Sequence, residues 1–148
     1  MAESTSFADL YRDRVLDHGR APRHAGPLAD ASHRALAHNA LCGDRVSVEL
    51  RLDADGRIVA LGHQSEGCLL CLASASLMAC DVPGRDAAGV AARLGSLRTA
   101  IANGDGDGLD ELGALAGVSA HPARHRCVLL PWEALRDALE APESDVSP

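Results

Sequence analysis

A single domain that mixes helices with one antiparallel β-hairpin is predicted by three features of the chain. Val46, Val48, Leu50 and Leu52 alternate with Ser47, Glu49 and Arg51, the period-2 pattern of a strand with one face on a core. Asp53-Ala54-Asp55-Gly56 follows with turn chemistry, and Arg57 to His63 returns as the antiparallel partner. Apolar residues recur at helical spacing before and after this hairpin, as Phe7, Leu10, Tyr11 and Val15 and again as Trp132, Leu135 and Leu139. The 148 residues fit one domain, 1–148, with 1–5 and 143–148 expected to be loose tails. A chain of this length buries about 68–70% of its unfolded surface, which supports a core without disulfide staples.

The first helix is expected from a capping box of Ser6 with Asp9 to about His18, with Gly19 in the left-handed position after its end. Pro22 and Pro27 then mark an irregular connection. After the hairpin, Gly67 to Cys80 is a run of small and apolar residues that fits a buried helix, with Cys68 at its N-terminus, where the helix dipole favours a thiolate. A further helix is expected over Asp86 to Ala102, followed by a glycine-rich segment from Asn103 to Gly117. The last helix is predicted to carry Pro131 in its first turn and to end at Pro142. No internal repeat is present.

The formal charge is −7, from 14 basic residues, all arginine, and 21 acidic ones. That balance argues against nucleic acid or an anionic membrane as partner. Three aromatic residues, Phe7, Tyr11 and Trp132, are too few for a base-stacking platform. The longest uncharged stretch, Gly67 to Cys80, is 14 residues, short of the roughly 18 that a membrane span needs. The opening MAESTSFADL is polar and acidic, unlike a secretory signal, and the five cysteines are an odd count. Both point to a reducing cytosol, where cysteines serve metal or redox chemistry.

Cys42-Gly43-Asp44 stands just before the first clear strand, and residues two apart share a face, so its two side chains can act together. The same triplet also reads as a buried cysteine and a turn aspartate. Cys68 follows the return strand, so Cys42 and Cys68 are expected to be neighbours. Cys127, flanked by Arg124 and Arg126, sits in electropositive company, but no pattern brings it to the other two. Cys68-Leu69-Leu70-Cys71 has the spacing of a redox pair, although the flanking pattern is a hairpin rather than a βαβ unit. No H-x-E precedes it, as a zinc deaminase requires. Cys71 and Cys80 are read as helix-core residues. Asn103-Gly104-Asp105-Gly106-Asp107-Gly108 starts like a calcium loop, but Ala114 stands where the bidentate glutamate belongs. Of the seven histidines, His125 is close enough in sequence to Cys127 to serve as an alternative ligand or proton acceptor, and the others are read as surface or structural.

Together these strings resemble the U-type iron–sulfur assembly proteins (SufU, IscU and the N-terminal part of NifU), and within them the zinc-containing SufU branch. The resemblance runs from about Leu10 to Leu139. It is carried by Leu10-Tyr11, Asp17-His18, Pro22-Arg23 and Gly26, by Cys42-Gly43-Asp44, and by Glu66-Gly67-Cys68 with Ala73-Ser74-Ala75-Ser76. Gly117-Val118, Pro122-Ala123-Arg124, Cys127 and Trp132 complete it. Arg126 stands where IscU-like members carry histidine, and the segment from Asn103 to Gly117 looks like the SufU insertion. Ala40 replaces a usual proline, Gly19 a common tyrosine, and Cys71 is an extra thiol.

The resemblance implies an α+β fold, a small antiparallel sheet covered by helices, with zinc held by Cys42, Asp44, Cys68 and Cys127. It also implies sulfurtransferase-type chemistry: sulfur accepted as a persulfide on Cys42 from a pyridoxal-phosphate cysteine desulfurase of the SufS type, in the cytoplasm, alongside other SUF assembly proteins. Arg124 is implied to offset the charge of three thiolates and a carboxylate. The alternative cofactor is an iron–sulfur cluster assembled on the same ligands. Cys71 is a competitor for Asp44 as ligand, or a disulfide partner for Cys68.

Overall fold

The computed structural model describes residues 7–40 and 43–141, with side chains from Arg12 onward. The expected Ser6 cap, the side chains of Phe7, Leu10 and Tyr11, Cys42, Pro142 and the two tails lie outside the described residues. The order of elements is α1 (Phe7–Arg20), β1 (His33–Asn39), β2 (Asp44–Leu52), β3 (Ile58–Glu66), α2 (Leu69–Asp81) and α3 (Ala87–Asn103), then a 3₁₀ helix (Asp110–Val118) and α4 (Pro122–Glu140). The fold is α+β. One antiparallel sheet with strand order β1-β2-β3 is packed against helices. No helix among the described residues is long and apolar enough to cross a membrane.

The β2–β3 hairpin forms where the alternation places it. Val46, Val48 and Leu50 are wholly buried, and Asp53 closes the turn by accepting from the N–H groups of Asp55 and Arg57, each at 2.9 Å. Pairing of Arg45 with Glu66 brings the start of β2 against the end of β3. The core then builds outward through Leu77 and Met78 of α2, Leu94, Leu97 and Ile101 of α3, Leu112 and Leu115 of the 3₁₀ helix, and Val128, Leu130, Trp132 and Leu135 of α4. Asp86 caps α3 by accepting from the Gly89 N–H at 2.9 Å, and Gly104, at φ +79°, ends that helix. In the glycine-rich segment, Asn103 and Asp105 accept from the N–H groups of Asp105 and Asp107, so these side chains shape the turn.

Four expectations need correction. α1 continues through Gly19 to Arg20. Gly19 is small because α2 approaches there: a Cβ at this position would lie 2.5 Å from Leu69 Cδ1. β1 lies before Val46, where the alternation marks the first clear strand, and was not anticipated. Its sheet-side residues Ala35 and Ala37 are too small to give an apolar alternation, and the strand is held by its register with β2 and by α4 across it. α4 begins at Pro122 rather than near Pro131, so Pro131 sits inside the helix. Having no N–H, it leaves the Cys127 carbonyl without its helical donor. The next carbonyl, Val128, accepts a hydrogen bond of 2.5 Å from Ser74 Oγ of α2. Lastly, Cys80 is exposed, because it falls on the outer side of the last turn of α2. Cys71 is buried in the core, as expected.

Candidate metal centre

Three of the four expected ligands meet at one end of the sheet. Asp44 opens β2, Cys68 is the N-cap of α2 directly after β3, and Cys127 sits in the second turn of α4. Their ligand atoms, one carboxylate oxygen and two sulfurs, all lie within 4.8 Å of one another. Asp44 and Cys127 are buried, at 1% and 3% exposure, and Cys68 is half-buried, so the group opens to solvent on the Cys68 side. Cys42, two residues before Asp44, lies outside the described residues.

The carboxylate is tied to the start of α2 by its own hydrogen bonds. The Cys68 N–H donates to Asp44 Oδ1 at 3.0 Å, and Cys68 Sγ lies 3.7 Å from Oδ2. Gly67 makes this possible. At φ +147° it adopts a conformation that side chains rarely take, and a Cβ there would collide with the Asp44 carboxylate. Its role is missed by pattern reasoning, which sees only a glycine before a helix.

Burial, followed by hydrogen bonding to Cys68 and Asp44, pushes the Cys127 thiol up to about 12. The Cys127 thiol therefore holds its proton unless a cation replaces it. Two thiols and one carboxylate form a donor set of mixed softness that suits zinc or iron, with one coordination position left for a fourth ligand.

α4 also sets out the basic residues. Arg124 lies one turn before Cys127 on the same side of the helix, whereas Arg126 and His125, one and two positions away, do not share that side. Arg124 lines a groove of about 520 Å³ with Cys68, Leu69, Leu70, Val118 and His121. Among the described residues it makes no ion pair. His125 is corrected as a substitute ligand. Its Nε2 lies 3.0 Å from the Val118 carbonyl, which fixes the ring against the end of the 3₁₀ helix. His18 and His63 are buried and structural: His18 Nδ1 lies 2.7 Å from Ser76 Oγ, and His63 Nε2 lies 2.8 Å from the Arg23 carbonyl.

The family model of the NifU-like N terminal domain matches residues 10–141. The chain is 32% identical over 147 residues to the zinc-dependent sulfurtransferase SufU of Bacillus subtilis (strain 168), covering 97% of this chain and 98% of that protein. It is 31% identical over 134 residues to the iron-sulfur cluster assembly scaffold protein IscU of Streptococcus pyogenes serotype M1, covering 88% and 83% respectively. Among solved structures, the N-terminal part of a nitrogen-fixing NifU-like protein from Brucella abortus superposes with a TM-score of 0.79 at 28% identity, covering 89% of this chain and 93% of that one.

Proposed function

This chain belongs to the family of NifU-like N-terminal domains of iron–sulfur cluster assembly, and from that premise we propose that it is a zinc-dependent sulfur acceptor. Its donor is the persulfide of a pyridoxal-phosphate cysteine desulfurase of the SufS type, in the cytoplasm, and other SUF assembly proteins lie downstream. The observation that carries this reading is the convergence of Asp44, Cys68 and Cys127 within 4.8 Å, in a chain that also bears Cys42 two residues before Asp44. A zinc ion held by Cys42, Asp44, Cys68 and Cys127 would supply a Lewis acid that keeps the thiolates deprotonated.

In this reading the Cys42 thiolate attacks the outer sulfur of the donor persulfide, and the donor cysteine leaves as a thiolate. Asp44 is the weakest of the four ligands in softness, and its bond to the Cys68 N–H keeps it in place when the coordination changes. Arg124, which lines the groove and makes no ion pair among the described residues, offsets negative charge as the sulfur arrives.

The test combines metal analysis of the purified chain with uptake of labelled sulfur from a cysteine desulfurase. About one zinc per chain and transfer abolished in Cys42→Ala are expected. Full-rate uptake by Cys42→Ala removes Cys42 from this role. A second reading, a scaffold that assembles the cluster on the same residues, is favoured by the likeness to the IscU scaffold protein. Anaerobic reconstitution that yields a stable, transferable cluster in preference to zinc selects it.

A further inference from the structure

Two wholly buried serines stand two residues apart on α2, and their hydroxyls serve different neighbours. Ser76 Oγ accepts from the Arg23 N–H at 2.8 Å and lies 2.7 Å from His18 Nδ1, so it ties α2 to α1 and to the segment after α1. Ser74 Oγ instead donates to the Val128 carbonyl of α4 at 2.5 Å. A helical serine commonly returns its proton to its own helix, four residues back, whereas this one crosses to another. Both helices that it joins carry a candidate ligand close to the tie. Cys68 stands six residues before Ser74, about 9 Å along the axis, and Cys127 is the residue next to Val128. The turn of α4 that starts at Cys127 is also the one that Pro131 weakens. Pro131 has no N–H to give to the Cys127 carbonyl, and its ring crowds that carbonyl. The Ser74 hydroxyl meets the adjoining carbonyl, at the place where the helical ladder is interrupted.

We propose that Ser74 is a positioning residue of the metal centre: its bond to the Val128 carbonyl takes the place of the helical bond that Pro131 removes, and so holds Cys127 against Cys68. The proposal rests on the metal-centre reading and adds to it the device that sets the spacing of two ligands borne on different helices. That spacing is demanding. Two sulfurs bonded to one tetrahedral zinc at about 2.3 Å each are about 3.8 Å apart. Cys68 Sγ and Cys127 Sγ lie within 4.8 Å of one another, so a slip of about 1 Å between α2 and α4 decides whether both reach one ion. Ser74 touches neither sulfur and acts through the backbone next to Cys127. Ser76 is its natural control, since it is equally buried on the same helix but is tied to α1, which bears no ligand.

Zinc affinity of the full chain is measured by competition with a chromophoric chelator, and the thiolate-to-cobalt absorption of the cobalt-loaded chain reports the coordination. In Ser74→Ala, zinc affinity should fall at least about tenfold and the thiolate–cobalt band should weaken. Ser76→Ala should lose a comparable amount of thermal stability, yet keep its zinc affinity within about threefold and its cobalt spectrum unaltered. Pro131→Ala returns the missing N–H, and Ser74→Ala added to it should then change affinity by less than about threefold. This pair decides the matter if Ser74→Ala alone does not fold. Unaltered affinity and spectrum in Ser74→Ala, equal losses of affinity in the two serine variants, or the full tenfold fall on the Pro131→Ala background overturns the proposal and leaves the metal centre standing. If the unaltered chain takes up neither zinc nor cobalt, the centre itself is overturned, and the proposal with it.

Discussion

The N–H of Cys68 donates to Oδ1 of Asp44 at 3.0 Å, across a step of chain at Gly67 that leaves no room for a side chain. A candidate ligand at a strand start and a candidate ligand at a helix start are thereby held together. Gly67→Ala should break that link twice over. The backbone conformation at φ +147° costs about 1–3 kcal/mol for a residue with a Cβ, and the methyl group displaces the carboxylate. We expect unfolding free energy to fall by about 2 kcal/mol and zinc affinity to fall at least tenfold. Competition with a chromophoric chelator and urea unfolding measure the two. Unchanged affinity would show that Asp44 is not held from Gly67.

The raised Cys127 thiol makes metal binding a proton exchange. A group whose pKa is pushed up to about 12 is protonated at neutral pH in the cation-free chain, so zinc must expel that proton in order to bind. Affinity should therefore rise with pH, and each ion bound should release at least one proton. Calorimetric titrations in two buffers of different ionisation enthalpy read the proton count directly. Stripping the metal should lower the melting temperature yet leave the far-ultraviolet helical signal largely intact. The buried side chains of β2, α2, α3 and α4 pack on one another rather than on the centre.

How much of this could be read in advance follows from side-chain size and from the distance between partners along the chain. The β2–β3 hairpin was legible because Val46, Val48 and Leu50 are large and alternate, and its pairing brings Asp44, two residues after Cys42, close to Cys68. β1 was hidden because Ala35 and Ala37 mark its sheet side too faintly. Cys127 could not be placed at all by pattern. Pro131 drew the start of α4 nine residues too late, and only a helix that begins at Pro122 carries Cys127 and Arg124 on one side. Cys80 was misread because the run from Gly67 to Cys80 is apolar almost throughout, so its periodicity does not say which residue faces out. The family resemblance supplied the ligand set that local pattern left open.

Acid should unfold the protein through two buried histidines. Burial lowers the pKa of His63 below 6.5, and burial with the nearby Arg23 charge does the same for His18. His63 also faces Ser65 Oγ at 3.2 Å through Nδ1, so both of its ring nitrogens are engaged. In each case the folded pKa is below the unfolded value, so the unfolded chain takes up more protons as the pH drops. The stability these residues contribute is complete above about pH 6.5 and is lost as the pH falls below it. His63→Gln keeps a donor for the Arg23 carbonyl and removes the titration. Its unfolding free energy should fall less steeply between about pH 6.5 and pH 5. An identical slope in the variant would assign the acid sensitivity elsewhere.

Arg93 ties three elements together outside the centre. Its guanidinium grips Asp81 in a bidentate pair, Nε to Oδ2 at 2.8 Å and Nη2 to Oδ1 at 2.7 Å, with the two side chains only 12% and 13% exposed. It also donates to the Leu109 carbonyl at 3.1 Å, joining the end of α2, the middle of α3 and the approach to the 3₁₀ helix. Removing Arg93 leaves the buried Asp81 carboxylate with only Arg85 Nε, at 3.7 Å from Oδ2, so Arg93→Ala should cost about 3 kcal/mol of unfolding free energy. Arg93→Lys should recover little of this, since an ammonium cannot make the two parallel bonds and also reach the carbonyl. Neither change touches Asp44, Cys68 or Cys127 among the contacts of Arg93, so zinc content should stay the same in both. Denaturant unfolding followed by Trp132 fluorescence checks the energies, and a loss under about 1 kcal/mol in Arg93→Ala would mean the pair is solvated and weak.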